Sequence, residues 1–246
     1  MSIGSQKHHS IEYIQIFLQF IIGLVVLTFV KIFFRFKVEG AKEVVEKLKH
    51  HKENERGIIF APNHISEYDV LVMRYALPLL RLPLMPMYYV SMTKDHYQVD
   101  RFGWRKRFYG GTLFKLLGAY PAYVGMRDYQ ASLINHVELL ENGKAVCIFP
   151  EGKMGLETFR SGEVKGGIGF LAEHTGSHII PVRLKGLRNI NWGHVFTFRR
   201  PTIEVSYKDL LHIHDLLDSL KTQEEYADDT VRYKKIASIT MDKIWE

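Results

Sequence analysis

Apolar and polar residues follow two different spacings along this chain, and the two spacings alternate. Short apolar runs bounded by Gly, Pro or polar residues predict buried strands in GIIFAPNH, PLMPMYYVSM, AYPAYV, KAVCIFPEG and SHIIPVRLKG. Between them, helical spacing predicts helices in EYDVLVMRYALPLL from Asp69 on, WRKRFYGGTLFKLLG, DYQASLINHVELLENG and VKGGIGFLAEHTG. Strands that alternate with helices predict an α/β fold with a mostly parallel central sheet flanked by helices.

The last third of the chain has a less regular pattern. HVFTFRRPTIEVSY suggests two strands around Pro201. From Asp215 onward the pattern is helical and charged, and KTQEEYADDTVRYKK predicts a solvated helical face.

An uncharged apolar segment near the N-terminus predicts a membrane-associated helix. Eighteen residues, Tyr13 to Val30, carry no charge and would form a helix about 27 Å long, close to the roughly 30 Å of a bilayer core. Several cations follow at once, which disfavours a cleaved signal peptide and predicts a cytoplasmic location for the C-terminal side. We therefore expect residues 1–37 to be an anchor and residues 38–246 to be one domain at the membrane.

A weak polar stripe leaves the geometry of this anchor open. Glu12, Gln15, Gln19 and Gly23 recur at helical spacing along the segment. The helix either crosses the bilayer or lies in its interface.

Composition narrows the classes of partner and site. With 46% apolar residues, the 246-residue chain can bury a real core, and its net charge of +6 favours an anionic partner. The single cysteine, Cys147, lies in an apolar run and predicts an inert core thiol, with no disulfide framework and no cysteine-based zinc site. No histidine spacing predicts a metal site.

His64 and Asp69 are the candidate catalytic pair. His64 follows a predicted buried strand, and Asp69 falls in the first turn of the next helix. In open α/β sheets, sites form beyond the carboxyl ends of the strands. An Asp that holds one imidazole nitrogen leaves the other to accept a proton from a hydroxyl group. A helix cap is the plain alternative reading of the same spacing.

Four sequence blocks in register extend this interpretation. NHISEYD resembles the N-H-x-S-x-x-D block of the glycerolipid acyltransferases, which include 1-acylglycerol-3-phosphate acyltransferase, and FPEGK resembles their F-P-E-G-T-R-S block. GAYPAYVGMRD and VKGGIGFLAEHTGSHIIPV are similar to two further blocks of that family. The resemblance covers about residues 38 to 210, so residues 38–246 are expected to be the acyltransferase domain.

The resemblance implies acyl transfer in phospholipid biosynthesis, from acyl-CoA or acyl-carrier protein to a lysolipid hydroxyl, with no further cofactor. It gives His64 the role of general base and Asp69 that of its orienting partner. Glu151 either binds the acceptor or holds its loop, and Gly152 beside it is expected to bind the acceptor as well and to form a turn there. The backbone N–H groups of His64 and Gly152 are candidate donors for the oxyanion.

The chain departs from the family where a phosphate would be bound. Val124 and Met154 stand where the family has arginines, while Arg127, Lys153 and Lys165 are cations that would bind the acceptor instead. Planar arginines bind a phosphate monoester best. We therefore expect a broadened or altered acceptor preference.

Other classes of function remain as alternatives. The first alternative is a non-catalytic lipid-binding protein on the same fold, and the second is an acyltransferase for a phosphate-free lysolipid. A hydrolase of the α/β type is disfavoured because no G-x-S-x-G is present. The basic, aromatic segment RFGWRKRFYGG suits membrane lipids or an acidic carrier protein, and we expect no nucleic-acid partner.

Overall fold

A seven-stranded sheet forms the centre of the computed structural model, which describes residues 3–49, 56–78, 85–98, 103–104, 107, 109–123, 128–155, 157 and 162–246. The strands are β1 Arg35–Glu39, β2 Ile58–Pro62, β3 Met87–Ser91, β4 Ala119–Pro121, β5 Ala145–Cys147, β6 His178–Lys185 and β7 Thr202–Tyr207. The helices of these residues are α1 Ile3–Phe33, α2 Ala41–Lys49, α3 Asp69–Ala76, α4 Gly111–Leu116, α5 Tyr129–Glu141, α6 Gly167–Thr175, α7 Trp192–Phe196, α8 Ile213–Lys221 and α9 Asp229–Trp245.

The sheet is mostly parallel, which confirms the predicted fold class. Its order is β1-β7-β6-β2-β5-β3-β4, and only β6 and β7 pair antiparallel. β2 lies between β6 and β5, and all five of its residues are buried. A parallel strand covered on both faces is expected to be apolar throughout, as β2 is.

Two apolar cores cover the two faces of the sheet. On one face Val44 of α2 and Val72 of α3 pack with residues of the central strands. On the other face Leu140 of α5, Leu171 of α6 and Ile236 of α9 form the second core. Because β2 pairs parallel with β5 and β6, the loops after these three strands lie at the same edge of the sheet, where the candidate site is found.

The polar stripe of α1 lies against the protein. Gln15 and Gln19 are 1% and 2% exposed, and Gln19 Nε2 donates to the carbonyls of Met87 (2.7 Å) and Leu117 (3.0 Å). The opposite face is apolar and exposed. Residues Ile11–Phe33 are long and apolar enough to cross a bilayer by length and composition.

The prediction of two strands around Pro201 is wrong. The first of them is the short helix α7, whose N-terminus is capped by Asn191, with its Oδ1 accepting from the N–H of His194 (3.2 Å). Only β7 follows Pro201 as a strand. The local cap therefore decides against an extended conformation.

The C-terminal charged segment is not a single solvated helical face. α8 ends at Lys221, a 3-10 turn spans Glu224–Tyr226, and α9 follows the N-cap Asp228. Arg232 is buried and donates to both carboxylate oxygens of Glu173 on α6 (2.8 and 2.7 Å). This ion pair attaches α9 to the second core.

Two elements near the N-terminus had no predicted counterpart. β1 is an edge strand paired parallel with β7, and α2 follows it directly. β1 crosses the expected boundary between residues 37 and 38, and the separate domain at 38–246 stays a prediction. The alternating charges of RFKVE mask the strand pattern.

Candidate active site

The loop after β2 is fixed by the side chain of Asn63. Its Nδ2 donates to the carbonyl of Leu184 (3.1 Å), and its Oδ1 accepts from the N–H of the same residue (2.7 Å). These bonds continue the pairing of β2 with β6 beyond the last residue of β2, Pro62. The chain then turns, and α3 begins at Asp69.

The structure brings His64 and Asp69 into direct contact. The distance from His64 Nδ1 to Asp69 Oδ2 is 2.9 Å, and the same oxygen accepts from the backbone N–H groups of Ile65 (2.6 Å) and Ser66 (2.9 Å). Asp69 is 0% exposed, whereas the His64 side chain is 20% exposed. The Phe149 ring stacks on the imidazole with a centroid distance of 4.0 Å. Asp69 thus holds Nδ1, and Nε2 remains available for a proton.

Burial sets the electrostatics of this pair. It raises the pKa of the Asp69 carboxyl above its usual value, and the hydrogen bonds from His64 and the backbone oppose the shift. A carboxylate in such a site interacts more strongly with an imidazolium than it would in water, because little solvent screens the pair. The arrangement is suited to stabilise a His64 that has taken up a proton.

Glu151 supports the backbone of His64. It is 2% exposed, and its Oε1 accepts from the N–H of His64 (3.3 Å). Burial raises the pKa of this carboxyl, and the Arg183 guanidinium works against the shift. A Cβ atom at Gly155 would lie 2.2 Å from Glu151 Oε2, so glycine is required there, and its N–H donates to the carbonyl of His64 (2.7 Å).

Both backbone N–H groups suggested as oxyanion donors are already engaged. The N–H of His64 donates to Glu151, and the N–H of Gly152 donates to the carbonyl of Phe149 (3.1 Å). Neither is free to bind an oxyanion in this arrangement.

The predicted acceptor cations pair with an acidic residue. Lys165 Nζ lies 2.6 Å from Glu163 Oε1, and Lys153 pairs with the other oxygen. These bonds lower the pKa of Glu163 to about 2. Gly152 has a φ of +65°, and a Cβ atom there would lie 2.7 Å from the Lys165 side chain. Arg127 lies outside the described residues, as do Arg101, Phe102, Arg105, Lys106 and Phe108 of the segment RFGWRKRFYGG.

A cavity of about 430 Å³, which the sequence pattern did not predict, lies beside the His64 loop. Its wall combines residues of that loop with residues after β5 and after β6, among them Ser66, Tyr68, Met154, Arg188, Ile190 and Trp192. Arg188 follows β6, which is paired with β2. The rule that sites gather at the carboxyl ends of neighbouring parallel strands was the signal that pointed to it.

Other chemistry-bearing groups lie away from this site or are buried. Burial raises the pKa of the Cys147 thiol, which agrees with the inert core thiol that was predicted. The residues that the structure describes contain no group of three His, Cys, Asp or Glu side chains able to hold a metal ion.

Known proteins share both the sequence pattern and the fold. A sequence-family model described as Acyltransferase matches residues 35–185, more than half of the chain. The fold is similar to the crystal structure of the 1-acyl-sn-glycerophosphate (LPA) acyltransferase PlsC from Thermotoga maritima, with a TM-score of 0.51 and 14% identity over 94% of this chain and 78% of that one. The resemblance found in the four blocks is thereby confirmed, and the chain belongs to the acyltransferase family.

Proposed function

We propose that this protein transfers an acyl chain from an acyl thioester, acyl-CoA or acyl-carrier protein, to the hydroxyl group of a lysophospholipid. The observation that carries the proposal is the 2.9 Å bond between His64 Nδ1 and the fully buried Asp69. The acyltransferase family and the similarity to the LPA acyltransferase from Thermotoga maritima support the substrate class.

The chemistry needs one base and no nucleophile from the protein. His64 Nε2 takes the proton of the acceptor hydroxyl as its oxygen attacks the thioester carbonyl carbon. Asp69 stabilises the imidazolium that forms. The carbon–sulfur bond then breaks, the thiolate leaves, and the imidazolium returns the proton to the sulfur.

A non-catalytic lipid-binding protein is the weaker candidate. Burying a carboxylate costs free energy, and the bonds to Asp69 recover it only while His64 and the loop are held in place. A binding module gains no affinity from a partly exposed imidazole oriented in this way. The dyad is explained by proton transfer and not by lipid binding alone.

The membrane location is proposed on the exposed face of α1. Phe17, Leu24 and Val25 are 52–65% exposed on it, while the polar stripe is bound to the protein. We propose that this face enters the bilayer interface and that the catalytic domain lies on the cytoplasmic side, as the cations Lys31 and Arg35 favour.

The function is tested by incubating the purified full-length protein with labelled acyl-CoA or acyl-carrier protein and a mixed pool of lysolipids. We expect label to appear in a diacylated phospholipid in proportion to the lysolipid consumed. Label recovered only as free fatty acid would show a thioesterase, and intact thioester with both donors would contradict the proposal.

The membrane attachment is tested with the triple variant Phe17→Ser, Leu24→Ser, Val25→Ser. We expect it to lose sedimentation with phosphatidylcholine vesicles at about 1 M salt, where surface charges are screened within about 3 Å. The matched control is Ile134→Ser, Val231→Ser, which removes exposed apolar side chains of α5 and α9. Equal sedimentation of both variants would place the membrane contact elsewhere.

A further inference from the structure

We infer that the cavity beside the His64 loop binds the head group of the acceptor, and that Arg188 contacts its phosphate and favours a singly charged phosphodiester over a phosphate monoester. This inference rests on the proposed function and names the acceptor class for that site. Arg188 lies outside positions 124 and 154, where the resembled family has arginines and this chain has Val124 and Met154.

The cavity lies beside the catalytic base. Ile65 and Ser66, which line it, are the two residues after His64, and Met154, which also lines it, belongs to the loop that carries Glu151. Its volume of about 430 Å³ falls within the roughly 300–1,000 Å³ typical of small-molecule sites. A glycerol head group bound there would bring its hydroxyl close to the imidazole.

Arg188 is held in a geometry that leaves donors free. Its Nη1 donates to the carbonyl of Gly155, and the N–H of Gly155 donates to the carbonyl of His64. Among the described residues, none accepts a hydrogen bond from Nε or Nη2 of this half-buried guanidinium. Two donors of a fixed planar group are suited to bind two oxygens of one phosphate.

The other described cations near the site are engaged elsewhere. Lys153 and Lys165 share Glu163. The Arg183 guanidinium donates to the carbonyl of Glu157 (2.9 Å) and stacks on Trp245 at 3.4 Å from the ring centroid. Among the described residues, Arg188 therefore provides the positive charge of the cavity.

One positive charge matches one negative charge. A phosphate monoester carries about −1.5 to −2 at pH 7, whereas a phosphodiester carries a single charge. The lining also includes Met154, which offers no hydrogen-bond donor. Among the described residues that line the cavity, Arg188 is the one cation, so the additional charge of a monoester would lose water there without gaining an opposite charge.

Aromatic side chains connect this cavity with the apolar surface of α1. The rings of Tyr68 and Trp192 meet edge to face at 6.4 Å on its rim, and Trp192 stacks on Phe196 at 6.2 Å. Phe196 in turn contacts Phe33 of α1 at 6.4 Å. Because this apolar path ends on the proposed membrane face, the geometry favours a lipid acceptor over a free phosphate.

The test compares three acceptors with the same acyl chain in one neutral detergent: lysophosphatidylglycerol, lysophosphatidic acid and monoacylglycerol. We expect the wild type to use the phosphodiester best. Arg188→Gln should lower the rate ratio of lysophosphatidylglycerol to monoacylglycerol by roughly tenfold to a hundredfold, the effect of losing a charged hydrogen bond. Arg199→Gln, an exposed arginine outside the cavity, is the matched control and should keep the ratio. Met154→Arg should shift the preference toward lysophosphatidic acid.

Calorimetric binding of the same three lipids gives a readout that does not require transfer. Arg188-dependent binding without transfer by the wild type would overturn the proposed function and leave the cavity assignment standing. Transfer with the same acceptor ratio in the Arg188→Gln and Arg199→Gln variants would overturn the cavity assignment alone. A wild-type preference for lysophosphatidic acid above about a hundredfold would overturn the charge argument. Arg188→Lys, which keeps the charge but not the planar group, is expected to lie between wild type and Arg188→Gln.

Discussion

Asp69 is the residue on which the geometry of the site depends. A single oxygen, Oδ2, accepts from the imidazole of His64 and from two backbone N–H groups of the same loop. The carboxylate therefore fixes the path of the loop and the orientation of the ring together. An uncharged side chain in its place would remove the negative charge that stabilises a protonated His64.

We predict that Asp69→Asn lowers the rate of acyl transfer by roughly a hundredfold to ten-thousandfold, the usual contribution of a general base. An asparagine oxygen in the place of Oδ2 would accept the same hydrogen bonds but carry no negative charge to stabilise the imidazolium of His64, and an amide nitrogen there would face the N–H groups of Ile65 and Ser66. Initial rates at saturating lysolipid measure the effect. Asp209→Asn, which changes an exposed aspartate paired with Lys47, should retain the wild-type rate, and an equally active Asp69→Asn would contradict the role of Asp69.

Polar contacts bind helix α1 to the rest of the protein. In the sequence, the same polar residues suggested instead that the helix lies in the membrane interface. Gln19 bonds to both the N–H and the carbonyl of Met87 at the start of β3, and its own backbone carbonyl accepts from Tyr75. Gly118 makes room for it, since a Cβ atom there would lie 2.8 Å from Gln19 Nε2. The helix is therefore part of the fold as well as the proposed anchor.

We predict that Gln19→Leu lowers the free energy of unfolding by roughly 2–6 kcal/mol, because the buried N–H and carbonyl of Met87 lose their partners at about 1–3 kcal/mol each. Urea unfolding in a mild detergent measures it. The control is Gln130→Leu on the surface of α5, where a change within about 0.5 kcal/mol is expected. Equal stability of the two variants would show that α1 is not held by this contact.

The apolar strands and long helices were predictable because burial leaves a periodic pattern. β2 and β6 are recognisable from their apolar residues alone. The short helix α7 and the edge strand β1 were not, since one depends on the Asn191 cap and the other on pairing with β7. Such elements are decided by single contacts and not by periodicity.

The site as a whole joins three strand ends that are far apart in sequence. Parallel pairing of β2 with β5 and β6 brings together the loops of His64, Glu151 and Arg188. The motifs predicted the first two of these residues. Arg188 was not predictable, because its position depends on the path of the chain after β6. The pairing of Lys153 with an acidic residue was not predictable either, because it depends on a loop that carries no periodic signal.

Stability in acid is expected to depend on His136, which lies between α5 and the sheet. Burial lowers its pKa to about 4 from 6.5, and the nearby backbones of Tyr89 and Tyr120 offset this only in part. The unfolded chain binds this proton more tightly than the folded chain does. The contribution of His136 to the free energy of unfolding is therefore complete above pH 6.5 and is lost as the pH falls from 6.5 to 4.

We predict that wild type loses about 2 kcal/mol more of its unfolding free energy than His136→Leu between pH 7.5 and 5.0. The variant lacks the titrating group, and comparing the two chains cancels the contributions of Asp69 and Glu151. Urea unfolding at both pH values measures the difference. Parallel losses in the two proteins would show that His136 takes up its proton without unfolding.

The measurement that tests the central claim most directly is the rate of acyl transfer by His64→Ala beside His214→Ala, a control at an exposed histidine of α8. Both are assayed with labelled acyl thioester and lysophosphatidylglycerol at saturation, after matched melting temperatures have confirmed that they fold. We expect His64→Ala to lose roughly a hundredfold to ten-thousandfold in rate and His214→Ala to match wild type. A His64→Ala protein that keeps more than about half of the wild-type rate would contradict the assignment of the general base, for which a loss of at least about a hundredfold is expected.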